Sequence, residues 1–227
     1  MIDQLYGAFT NTEVWSITLN TIKITGLAVL LALVAGLPLS FALAFYRFPL
    51  KKLVIAMVNT AMGLPPVIAG LLVSMVFWRS GIFGHLDLLY TPTAMVIAEF
   101  IITLPIVSAL SFASLKSINP EIKEQFHALG ANKWQVVHSL LRESRLSTTA
   151  AVIAGYGAIV SEVGAALMVG GNIRGETRVL TTAIVMETRK GNFDYALALG
   201  LILLAIAFIV NFYMTGLQQK DVKWKRR

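Results

Sequence analysis

The chain of 227 residues is 56% hydrophobic and only 14% charged, with 19 Lys and Arg against 12 Asp and Glu and a mean hydropathy of +0.72. Soluble domains carry about 25% charged residues, so this composition excludes an ordinary water-borne globule and points to one domain set in a bilayer. The absence of cysteine excludes disulfides and thiolate chemistry, and three scattered histidines, His85, His127 and His138, argue against a metal centre.

Residues 1–14 have no basic region ahead of an apolar run and no small-residue cleavage site, so they read as a retained outer segment rather than a signal peptide. A helix rises 1.5 Å per residue, so about 20 apolar residues cross a hydrocarbon core roughly 30 Å thick. Five segments qualify: 24–45, 53–78, 88–115, 146–173 and 195–219. Only Glu99 and Glu162 interrupt them with charge. Backbone polar groups inside lipid must be satisfied within the segment, so all five are expected to be helices. Pro38, Pro65, Pro66 and Pro105 fall within them, each removing a backbone donor and favouring a kink or break. The pair Pro65 and Pro66, flanked by Gly63 and Gly70, is the strongest candidate for a broken helix lining a pore.

Between the third and fourth spans lies a polar stretch, 116–146. Asn119 and Pro120 form a helix-start signal with Glu121 in the first turn. This helix is expected to run to about Leu129, with Gly130 supplying the bend. A second helix begins near Asn132, with Trp134, Val137, Leu140 and Leu141 on one side. Such a hairpin offers a small amphipathic plug to a partner.

The basic residues set the orientation. An inner C-terminus places thirteen of them on the cytoplasmic side and five outside, with Lys23 at the outer interface. That asymmetry favours an outer N-terminus and a cytoplasmic hairpin. The tail 220–227, with Lys220, Lys223, Lys225, Arg226 and Arg227, reads as a topology signal and an anchor to lipid headgroups rather than a nucleic-acid site.

Glu124, Ala128, Leu129 and Gly130, followed ten residues on by Leu140, resemble the loop of importer-type ABC permeases that opens with an acidic residue and small residues. The stretches SEVGAALMVGGNIRGETRVLTTAI, 161–184, and GLPPVIAGLLVSMVFWRSGIFG, 63–84, resemble permeases of the oxyanion group, for molybdate, sulfate and tungstate, and lean to the tungstate type. The resemblance implies an all-α polytopic membrane protein with the five-helix core of a type I importer permease, occupying 15–219. It implies a homodimer in a prokaryotic inner membrane, two cytoplasmic ATPase subunits and an extracytoplasmic oxyanion-binding protein. The hairpin would then be the coupling helix, with Glu124, Ala128, Leu129, Gly130, Trp134 and Leu140 meeting the ATPase. No cofactor is expected in this chain, ATP and Mg being bound by the partner ATPase subunits, and no G-x-x-x-x-G-K-[ST] loop occurs in it.

A carboxylate in mid-span costs about 2.5 to 3.5 kcal/mol on insertion scales, so Glu162 is expected to face a partner or water. A brace between helices beside a gate suits it better than contact with a divalent anion. The gate and pore are assigned to Pro65, Pro66, Glu162, Gly164, Gly170, Gly171 and Asn172. Glu99 is expected to contact a neighbouring helix. Arg174 and Arg178, four residues apart in an outer loop, would share a helical face and attract an entering anion. Two other classes stay open at this point. A secondary transporter could use Glu162 and Glu99 as proton carriers, though no internal repeat is visible. A membrane enzyme lacks a catalytic constellation.

Overall fold

The computed structural model describes the backbone of residues 12–118 and 120–225. The expected cap Asn119 and most of the segment 1–14 lie outside the described residues, as do Arg226, Arg227 and the side chains of Glu124 and Trp134.

Among the described residues ten α-helices follow one another: α1 (Thr12–Phe45), α2 (Lys51–Ala61), α3 (Pro66–Phe77), α4 (Pro92–Lys116), α5 (Pro120–Ala128), α6 (Lys133–Glu143), α7 (Arg145–Val160), α8 (Gly164–Gly170), α9 (Leu180–Arg189) and α10 (Phe193–Lys225). No strand occurs among the described residues. Helices are what lipid demands, because each closes its backbone hydrogen bonds within itself.

Among the described residues, three helices are long and apolar enough to cross a membrane alone: α1, α4 and the portion Phe193–Gln218 of α10. The other two expected spans are not continuous. Helices α2 and α3 meet at 107°, and α7 and α8 at 62°, so each pair counts as one span only with its break included. The first break has a local cause. Gly63 follows the end of α2, and Pro65 and Pro66 cannot donate backbone hydrogen bonds to continue it. By contrast Pro38 and Pro105 sit inside α1 and α4, so neither of them breaks its span. One proline removes one donor, whereas a break in lipid would strand several backbone groups.

The centre of the fold is α4, 61% of whose most apolar window is buried, while the corresponding window of α10 is 11% buried and faces outward. Small residues let α1 approach α4 closely. Ala28, Ala32 and Ser40 of α1 and Ala94, Ala98 and Ser108 of α4 are all buried, and a Cβ on Gly36 would lie 3.1 Å from Ser108 Oγ. In a bilayer, where no hydrophobic effect drives helices together, this closeness supplies the packing energy. Toward its end α10 continues as helix through Lys225, so most of the expected tail 220–227 extends the last span.

Candidate functional site

The two broken spans meet through their second halves. A Cβ placed on Gly70 of α3 would lie 2.8 Å from Ala165 Cα of α8, and one on Gly164 would lie 2.7 Å from Val67 Cγ2. The Ser74 hydroxyl donates to the Met168 carbonyl at 3.4 Å. Pro65 and Pro66 open α3, with Pro65 at its cap and Pro66 as its first residue, so the proline break and the break at 161–163 belong to one packed unit.

Glu162 lies in that second break and not in the middle of a helix. Its Oε1 accepts from the Ala165 N–H at 3.0 Å. The carboxylate thus caps the first turn of α8, where free N–H groups and the helix dipole favour negative charge. The expected brace to a neighbouring helix is replaced by a local one. Glu99 does bridge helices. It is 3% exposed in α4 and pairs with the Thr25 hydroxyl of α1, while its Oε2 has no hydrogen-bond partner.

The far end of α8 is held by backbone shape and buried hydroxyls. Gly171 (φ +66) and Asn172 (φ +55) are both left-handed. A Cβ on Gly171 would lie 2.8 Å from Tyr90 Cδ1, and one on Gly170 would lie 2.6 Å from Met95 Sδ. The Tyr90 N–H donates to the Val169 carbonyl at 2.8 Å. Thr177, fully buried, donates to the Gly170 carbonyl and accepts from the Ile173 N–H at 2.9 Å. The Thr182 hydroxyl lies 2.9 Å from Asn172 Oδ1. Gly170, Gly171 and Asn172 therefore form a turn locked onto α4 and α9. Thr177, Thr182 and Tyr90 complete it, and nothing in the sequence pattern singled them out.

Arg174 and Arg178 do not share a helical face, since 174–177 is a turn. Both bind Glu13: Arg178 Nη1 lies 3.0 Å from its Oε1, and Arg174 Nη2 pairs with its Oε2. In place of the expected shared helical face, the two guanidinium groups clamp the start of α1. Beyond it the Glu187 carboxylate accepts from Asn192 and from Lys190, each at 2.8 Å. These bonds hold its carboxyl below the usual carboxylate range, the one from Asn192 contributing most.

At the opposite side stands the hairpin. Helix α5 ends in a Schellman turn, the Ala131 N–H donating to the Phe126 carbonyl at 3.0 Å, with Gly130 at φ +74. No atom lies within 4 Å of a Cβ built on Gly130, so glycine is required there by conformation and not by space. Asn132 caps α6 and Gln135 answers with the reciprocal bond, at 2.9 and 2.8 Å. The apolar stripe of α6 is centred on the expected Leu140 together with Val136, both buried, with the expected Val137 and Leu141 half-buried beside them. Leu140 therefore seats the hairpin instead of facing outward. The bend itself projects: Ala128 and Gly130 are exposed and Leu129 is 83% exposed.

Comparison with known proteins bears on this geometry. Residues 24–221 match the family described as the binding-protein-dependent transport system inner membrane component. The chain belongs to that family. A probable anion ABC transporter permease of Haloferax volcanii is 39% identical over 210 residues, covering 90% of each chain. A tungstate uptake system permease of Peptoclostridium acidaminophilum is 36% identical over 208 residues, covering 92% of this chain and 91% of its own. Among solved structures, the permease fold of a bacterial alginate ABC transporter, in complex with its alginate-bound periplasmic protein, superposes with a TM-score of 0.82 at 18% identity, over 97% of this chain and 83% of the other. The MetNI methionine transporter in an inward-facing conformation superposes with a TM-score of 0.71 at 19% identity, over 91% and 93%. The family chain is thus a multi-pass permease of the inner membrane, with the all-helical importer fold.

Proposed function

We propose that this permease is the membrane half of an ATP-driven importer for a tetrahedral oxyanion, tungstate first, with molybdate and sulfate as the alternatives. The substrate class is supported by relatives described as an anion permease and a tungstate uptake permease, each similar along nine-tenths of its length. The mechanism rests on one observation: an exposed bend at Ala128–Gly130 at one side of the membrane and two broken spans packed together at Gly70 and Ala165. In this reading the bend, with Glu124 and Trp134, enters a groove on a cytoplasmic ATPase subunit. ATP and Mg are held there and not in this chain. Closure of two such subunits pulls on the hairpins of a permease homodimer. Because Leu140 and Val136 anchor α6, the pull reaches α7 directly and turns the α3–α8 unit as one body, exposing the path to either side in turn.

The N-terminus and the Arg174–Glu13 clamp lie outside the cell, where an oxyanion-binding protein delivers the cargo. Arg174, 72% exposed at its side chain, keeps donors for an approaching anion or partner. The gate is built from Pro65, Pro66, Glu162, Gly164 and the turn Gly170 to Asn172, none of which touches the anion in this mechanism. Selection resides in the binding protein, so the pore needs only weak affinity.

The test is uptake by vesicles holding the permease, its ATPase and the binding protein, with tungstate measured inside. Uptake is expected to require ATP, and molybdate and sulfate to compete more weakly than unlabelled tungstate. Uptake driven by a proton gradient without ATP would overturn the proposal in favour of proton carriage by Glu99 and Glu162.

A further inference from the structure

Three segments bring cations together on the hairpin side of the membrane. Arg47 lies in the turn after α1, Lys51 and Lys52 open α2, and Lys116 ends α4. Besides its burial, the charges that act on Lys51 are Lys116 and Arg47, both positive and both disfavouring its ammonium. A groove of about 530 Å³ opens here, lined by Arg47, Phe48, Leu50, Lys51, Lys52 and Ile55, with no acidic residue among them. The turn is shaped by Leu50, whose φ of +61 is left-handed and costly for a branched side chain. It places the Lys51 ammonium 2.8 Å from the Tyr46 carbonyl. Like charges so gathered repel unless an anion joins them, and two lysines in the first turn of α2 also oppose its dipole.

We propose that this groove holds the phosphate of an anionic phospholipid headgroup. Charge complementarity supplies the first argument: three cations line the groove with no acidic residue among its walls, and Lys116 adds a further positive influence on Lys51. Position supplies the second. Tyr46 is 61% and Leu50 72% exposed beside these cations, an amphipathic rim of the kind that sits where headgroups meet acyl chains. A free oxyanion would satisfy the cations and leave that rim in water. A phospholipid satisfies both at once, its phosphate among Arg47, Lys51 and Lys52 and its chains against Leu50 and Ile55. Topology alone asks for basic residues near span ends, and does not ask that Lys116 of α4 meet the turn between α1 and α2. The site lies apart from the gate and does not depend on which anion is carried.

The experiment uses the permease assembled with its ATPase subunits, extracted from vesicles of phosphatidylglycerol and phosphatidylcholine, with retained lipids counted by native mass spectrometry. Phosphatidylglycerol is expected to be retained in preference. Lys52→Gln and Lys116→Gln are each expected to weaken that retention about fivefold, and Arg47→Gln with Lys52→Gln about 25-fold. Arg79→Gln with Arg189→Gln, two basic residues that do not line the groove, serves as the control for charge in general and is expected to leave it unchanged. Equal loss in the control, or displacement of the lipid by millimolar tungstate or inorganic phosphate, would overturn the assignment. Unchanged retention in Lys116→Gln, with the complex intact on size exclusion, would overturn it too.

Discussion

Glu13 holds two guanidinium groups at once, and that pairing decides how the start of α1 meets the turn after α8. Arg178 is only 12% exposed at its side chain, so its bond to Glu13 is screened far less than a surface pair. Its loss would take from a half-buried carboxylate the better-buried of its two guanidinium partners. Arg178→Ala is expected to destabilise the permease by about 2 kcal/mol, read as a lower midpoint of thermal unfolding in detergent, while Arg174→Ala costs less because that side chain is open to water. Glu187 gives a pH signature. Its folded carboxyl is held below the ordinary value of 4.5 by Asn192 and Lys190, so it contributes stability that is present above the unfolded value and lost as pH falls through the folded one. Glu187→Gln should therefore narrow the gap in stability between neutral pH and pH below about 4.5, a difference visible in the same unfolding assay.

At the level of elements, the two breaks differ in origin. The one at 62–65 is written in its residues, Gly63 and two prolines, and a reader of the sequence can find it. The one at 161–163 contains no proline. There α8 departs from α7 because it must lie along α3, and Glu162 caps the departure with its own carboxylate. A mid-span carboxylate is legible as an anomaly, but its resolution as a cap depends on where α3 stands. Gly70→Val is expected to force α3 from α8, since even a Cβ meets the Ala165 backbone at 2.8 Å. The cost should be about 1 to 3 kcal/mol, with uptake reduced more than insertion. The hairpin behaves otherwise. Around Gly130 there is room but no permissive conformation, so Gly130→Val is expected to leave the permease in the membrane and lower both uptake and stimulated ATP hydrolysis. Undiminished transport by that variant would remove the hairpin from the coupling path. Asn132→Ala should cost α6 about 1 kcal/mol through the lost capping box, measured as faster amide exchange in its first turn.

For the whole molecule, the kind of element that crosses the bilayer follows from hydropathy because a bilayer permits nothing but helices of such apolar runs across it, whereas two of the five spans proved to be broken. Length, apolar runs, the proline break, the glycine bend and the cap at Asn132 were all legible, since each acts through its own few residues. Pairing was not. That Arg174 and Arg178 close on Glu13, that Ser74 bonds the Met168 carbonyl and that Lys116 acts on Lys51 depend on contacts between residues far apart in the chain. Side-chain chemistry says what a carboxylate or guanidinium can bind, and helix periodicity says which residues share a face. Only the packing of α3 on α8 and of α1 on α4 decides which partner is within reach, because that packing turns on a close approach at Gly36, Gly70 and Gly164 that local spacing does not encode.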